Sequence, residues 1–138
     1  MYYVYFLTHR RCVEGDDVYD TKVLGIYTAK SKALSAIDFF REKEGFCDYK
    51  EDFYIKRKKL LGNREKPISS VFLIEYERFL YDRVYHKEFL GICADEKTAD
   101  VIVALSKERS HYPEGTEEYE VIEYVLDRHS EYWSEGFN

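Results

Sequence analysis

KVLGIYTAKSKALSAI, residues 22–37, and KEFLGICADEKTADVIV, residues 87–103, follow one plan: a strand carrying Leu-Gly-Ile gives way to a helix. With Gly25 over Gly91 the offset is 66 residues, and it runs without a gap to Leu60 over Leu126. Along it Leu24 meets Leu90, Ile26 meets Ile92, Ala33 meets Ala99, Ile37 meets Val103, Phe53 meets Tyr119 and Ile55 meets Val121. Upstream, Val4-Tyr5-Phe6-Leu7 falls on Val71-Phe72-Leu73-Ile74 at an offset of 67, so the second connection is one residue shorter. Few positions are identical, but apolar faces apolar throughout, which is the mark of a degenerate internal duplication.

Each copy reads as strand, strand, helix, strand. YYVYFL and SVFLI are short continuous apolar runs, the pattern of strands covered on both faces. In the first helix Ala33, Ile37 and Phe40 recur with helical spacing, Ala36 stands beside them, Lys30 or Ser31 marks the start and Gly45 the end. The second opens at Asp95, a good N-cap, and HYPEG stops it at Pro113 and Gly115. FYIKRKKLL, residues 53–61, is lysine-rich and reads as a guarded sheet edge, whereas YEVIEYVL, residues 119–126, reads as the better covered strand. A helix crossing between the second and third strands, with the first strand between them, makes a split β-α-β unit. The glycine of Leu-Gly-Ile then marks a bulge or a close backbone approach. The expected class is α+β: two tandem β-β-α-β units, residues 1–62 and 69–138, related by a pseudo-twofold in one compact domain with a mixed, mainly antiparallel sheet and two helices.

The totals narrow the setting. With 138 residues, 45% of them hydrophobic and 17% aromatic, the chain is far from the composition of disorder. No apolar run approaches the roughly 20 residues of a spanning helix, and the basic residues of MYYVYFLTHRR follow the apolar ones, so a cytoplasmic location is expected. Cys12, Cys47 and Cys93 are widely spaced with no C-x-x-C, which suits reduced thiols. The net charge of −6 is lopsided: from residue 110 onward eight acids stand against Arg128 alone. Such a field attracts basic partners and repels nucleic acid.

Val-Tyr-Phe-Leu-Thr-His at 4–9, Leu-Gly-Ile-Tyr at 24–27, the helix with Ala33 and Ile37, the segment from Phe46 to Ile55, and the ending Leu126-Asp127 with Trp133-Ser134-Glu135-Gly136-Phe137 resemble a small bacterial domain family of uncharacterised function. Members of that family resemble one copy and finish in a Trp-Thr-Glu-Gly-Phe tail. Here the tail stands only on the second copy, Ser134 replaces Thr, and extra residues separate Asp127 from Trp133. The resemblance implies no activity and brings no catalytic residues.

No chemistry-bearing motif overrides that reading. His9, His86, His111 and His129 have no nucleophile elbow or cysteine signature beside them, so no catalytic residue is assigned. His111 with Glu114, and His129 with Glu131, supply two ligands each, so neither a metal nor a cofactor is expected. The glycines form no phosphate-binding loop. KRKK at 56–59, with Arg64 and Lys66, is basic, but strand alternation parts Lys56 and Lys58 from Arg57 and Lys59, which makes nucleic acid the lesser alternative. Protein recognition fits more of the chain. YERFLYDRVYHKEF, residues 76–89, offers Tyr81, Arg83 and Tyr85 as anchors of the types that dominate binding hot spots, and Glu117, Glu118, Glu120 and Glu123 offer steering charge. The expectation is a non-enzymatic binder of a basic protein, of the immunity or antitoxin type. A regulator binding a small molecule or nucleotide in a pocket between the copies is the alternative, and a homo-oligomer is compatible with either.

Overall fold

A computed structural model describes residues 2–12, 19–43, 52–62, 68–81, 83–113 and 115–129. Along the chain stand β1 (Tyr3–Cys12), β2 (Tyr19–Tyr27), α1 (Lys30–Arg41), β3 (Phe53–Leu61), β4 (Ser70–Leu80), β5 (Arg83–Cys93), α2 (Glu96–Arg109) and β6 (Glu117–Val125). The class is α+β: two helices and a six-stranded, mixed, mostly antiparallel sheet of order β2-β1-β3-β5-β4-β6. No described helix is long and apolar enough to cross a membrane. The chain divides into two compact units, Met1–Lys58 with Val125–Asn138, and Lys59–Tyr124. Relative to the repeat boundaries read from the sequence, the end of β3 goes with the second unit and the residues after β6 go with the first. Phe46, Gly45, Cys47, Arg64, Lys66, Glu114, Glu131 and the Trp133–Phe137 tail lie outside the described residues.

In the first unit β1 pairs antiparallel with β2 through Tyr5↔Tyr27, Phe6↔Ile26 and Leu7↔Gly25, and resumes at Thr8↔Val23, leaving Leu24 as an extra residue. That is a bulge at the glycine, as the sequence suggested. Tyr27 folds back over it, so a Cβ on Gly25 would lie 2.5 Å from the Tyr27 hydroxyl oxygen. Leu7, Leu24, Tyr27, Ala33, Ala36 and Phe40 form the buried core, with Tyr5, Ile37, Phe53 and Ile55 against it. The alanines let α1 lie close to the strands, and burying a side chain such as Phe40 contributes roughly 1.5–3 kcal/mol. The start of α1 is held from a distance. Its N-cap, Ala29, has no side-chain cap, but the Thr28 N–H donates to Asp127 Oδ1 at 2.8 Å and Lys32 Nζ donates to Asp127 Oδ2 at 3.0 Å. The Asp127 N–H donates to the Ile26 carbonyl at 3.0 Å, and His129 Nδ1 lies 2.9 Å from the Tyr27 hydroxyl while its ring stacks on Phe39.

The second unit repeats the arrangement. Phe72↔Cys93, Leu73↔Ile92 and Ile74↔Gly91 pair antiparallel, and pairing resumes at Glu75↔Phe89, so Leu90 is the extra residue of a bulge beside Gly91. Ile74, Cys93 and Ala99 are the buried core, with Leu61, Phe72, Leu90, Ile102, Val103 and Val121 packed on it. Asp95 caps α2 by accepting from the Thr98 N–H at 2.7 Å. The end of β3 serves this unit as Asp127 serves the first: Leu60↔Ile92 and Leu61↔Cys93 pair in parallel, and the Ala94 N–H donates to the Leu61 carbonyl at 2.7 Å. Val4, Phe6 and Leu7 on β1, and Val71, Leu73 and Ile74 on β4, are buried whichever way they point. This is the double coverage that their unbroken apolar runs implied.

The edge assignment is reversed. β6 ends the sheet, and β3 lies inside the strand order. Yet β3 meets β5 only at Leu60 and Leu61, so among the described residues its lysine-bearing part is paired with β5 nowhere. Lysine marks a strand margin without saying which margin ends the sheet.

Candidate docking face

The hairpin of β4 and β5 carries the candidate site. Its strands pair to the end, Leu80↔Arg83, leaving a two-residue connection of the kind that requires positive φ. Tyr81 takes that conformation at φ 54°. Its side chain is 90% exposed, and Leu80 and Val84 beside it are exposed as well. A second register shift between Arg78 and Phe79 bends the ladder just before this apolar tip. The backbone of Arg83 closes the hairpin; the side chains of Arg83 and Tyr85 lie outside the described residues.

Below the tip β4 alternates. Phe72 and Ile74 pack with the α2 core, which sends Glu75 and Glu77 to the other face. There Lys87 Nζ lies 3.0 Å from Glu75 Oε1 and 3.9 Å from Glu77 Oε1. β6 lies beside β4, running the opposite way: Ser70 Oγ donates to Glu123 at 2.9 Å, and the Phe79 N–H donates to the Thr116 carbonyl at 2.8 Å. This register brings Glu118 and Glu120 alongside Glu75 and Glu77 in an open cleft of about 530 Å³ that Lys107, Glu117 and Tyr119 also line. Charge counts agree. The second unit holds fourteen acids and nine bases, the first thirteen and twelve, so −5 of the net −6 lies in the unit that bears this face.

The four glutamates expected to act together separate into three settings. Glu118 and Glu120 are exposed on the cleft. Glu123 is engaged with Ser70 toward the other end of β6. Glu117 is tied beneath the C-terminal end of α2, where it accepts from Ser110 Oγ and, at 3.0 Å, from the Tyr119 hydroxyl. The Ser110 bond is the chief cause that holds its carboxyl below the usual range; burial opposes this, and Tyr119 and Tyr76 support it. Burial first, then the bond to Glu117, pushes the Tyr76 and Tyr119 hydroxyls up to about 12. Their rings sit 5.0 Å apart, and Arg78 lies 3.5 Å over the Tyr112 ring. Glu117 is therefore an organiser of the cleft wall and a poor free charge. Glu75 and Glu77 were the residues missed, although their spacing on a strand already placed them on one face.

The histidines take separate positions. His9 is buried edge-on to Phe53, His86 lies 3.0 Å from Glu88 at the surface, and His129 belongs to the Tyr27 cluster. Cys93 is buried, which pushes its thiol up to about 11. Among the described residues no three His, Cys, Asp or Glu side chains gather as a metal site would require. No family model matches the sequence, and no curated protein or solved structure matches it.

Proposed function

We propose that this protein acts by binding a basic protein partner, as a cytoplasmic immunity or antitoxin-like inhibitor that covers the partner's active site and catalyses nothing itself. The observation that carries this reading is the juxtaposition, in the β4–β5 hairpin and the neighbouring β6, of an exposed apolar tip, Leu80, Tyr81 and Val84, with the acidic row Glu75, Glu77, Glu118 and Glu120. An apolar anchor beside a charged rim is the anatomy of a specific interface, and the charge accelerates encounter with a cationic partner. The same reading makes the chain a degenerate duplication related by an approximate twofold, and a relative of the small bacterial family whose tail it resembles. Matching bulges at Gly25 and Gly91 support the duplication, as does the exchange of strand ends.

The test is comparative capture. Wild-type protein and a Glu118→Lys/Glu120→Lys variant are used as baits on lysate of the native cell at low and high salt. The reading expects one basic protein that is retained by wild type, lost with the variant and weakened by salt, and whose activity falls when the wild-type protein is added. A partner retained equally by both baits, or one left fully active by saturating bait, would refute it.

A further inference from the structure

On β3, Phe53 and Ile55 turn to the α1 core, so alternation sends Tyr54, Lys56 and Lys58 to the opposite face. Arg10 of β1 joins them. Its backbone N–H donates to the Asp52 carbonyl at 3.0 Å, and its guanidinium carbon lies 5.6 Å from the Tyr54 ring centroid. Arg10, Tyr54 and Lys56 are exposed and Lys58 is half-buried. The Lys58 ammonium is held below its usual range by burial first, then by Lys56, whose side chain reaches it, and by Arg10. Among the described residues no carboxylate makes an ion pair with any of these three cations. Arg57, by contrast, lies over the Tyr3 ring, outside this group.

Guarding a strand margin needs lysines, but it does not need them to converge with an arginine from the neighbouring strand. Convergence of like charges opposes folding, and a compact anion of several charges relieves it. We propose that this face of the first unit binds the condensed phosphates of a nucleoside di- or triphosphate, with Arg10, Lys56 and Lys58 on phosphate oxygens and the exposed Tyr54 ring against the base. Arginine offers phosphate a fork of donors and lysine a compact charge. A tyrosine face stacks on any base. Lys56 and Lys58, on one face of one strand beside Arg10, favour phosphates joined in one short chain over phosphodiesters spread along a strand. The proposal is independent of the docking reading, which uses residues of the second unit.

Calorimetric titration of the full chain at low salt with inorganic tripolyphosphate, ATP and a twelve-residue oligothymidylate tests it. Saturable binding of tripolyphosphate and tighter binding of ATP are expected. Lys56→Glu/Lys58→Glu should weaken both by about tenfold or more, with an undiminished melting temperature because repulsion has been removed. Tyr54→Ala should cost ATP about fivefold or more and leave tripolyphosphate unchanged. Should the double variant fail to fold, Arg10→Gln carries the same expectation for both ligands. Absence of saturable binding, binding indifferent to these variants, or binding of the oligonucleotide alone would overturn the proposal.

Discussion

Tyr81 stands where a glycine or asparagine would be at ease. At φ 54° its Cβ is crowded by the backbone, a cost of about 1–2 kcal/mol for an L-residue, and the 90% exposed ring regains nothing by packing. A strained, solvent-facing aromatic at a hairpin tip points to a use outside the fold. Tyr81→Gly should therefore raise stability by up to ~1 kcal/mol in a denaturant melt and weaken binding of the captured partner. A variant that is less stable, or as good a binder, would separate Tyr81 from docking. The residue types at this tip were legible as anchors in the sequence. The sign of φ was not, because it follows from a two-residue connection that the register alone defines.

At the scale of elements, what local pattern controls was readable and what a remote residue controls was not. Asp95 announced the start of α2 because its partner, the Thr98 N–H, is three residues away. The start of α1 at Lys30 was readable too, but not that Asp127, on a segment about a hundred residues later, holds it. The same limit reversed the edge strands, since strand order is a matter of long-range pairing.

The Asp127 segment should also respond to acid. Burial raises the Asp127 carboxyl, but the Thr28 N–H and Lys32 outweigh it, so the folded group titrates below its usual value. Its stabilisation is present above the unfolded value and lost as pH falls through the folded one. His129 is also held low, by burial. In the window below its ordinary value of 6.5 the unfolded chain takes up a proton that the folded chain refuses, and stability again falls with pH. Hydrogen exchange, corrected for its intrinsic pH dependence, should show amide protection at residues 26–28 and 126–129 falling several-fold between about pH 7 and about pH 5, ahead of the Ile74 and Cys93 core. Equal loss everywhere would contradict this.

For the molecule as a whole, the compact units do not follow the copies read from the sequence: Leu60 and Leu61 serve the second unit, and Asp127 and His129 serve the first. Neither copy read from the sequence is complete without the other's last residues. Fragments 1–62 and 63–138 should each give poorly dispersed amide spectra alone and a native-like spectrum when mixed; a fragment that folds by itself would argue against that dependence. The two strand-to-helix passages at Gly25 and Gly91, each with its bulge, were visible in the sequence because apolar spacing is a local pattern. The acidic face was only half visible: Glu118 and Glu120 were named, while Glu75 and Glu77 join them only through the long-range placement of β4 beside β6.

The function proposed rests on that face. Its most direct measure is the association rate with the captured basic partner, for wild type and Glu118→Lys/Glu120→Lys, across ionic strength. The proposal predicts a rate lower by about tenfold or more at low salt, converging with wild type at high salt, with the melting temperature unchanged. Equal rates at every salt concentration would contradict it.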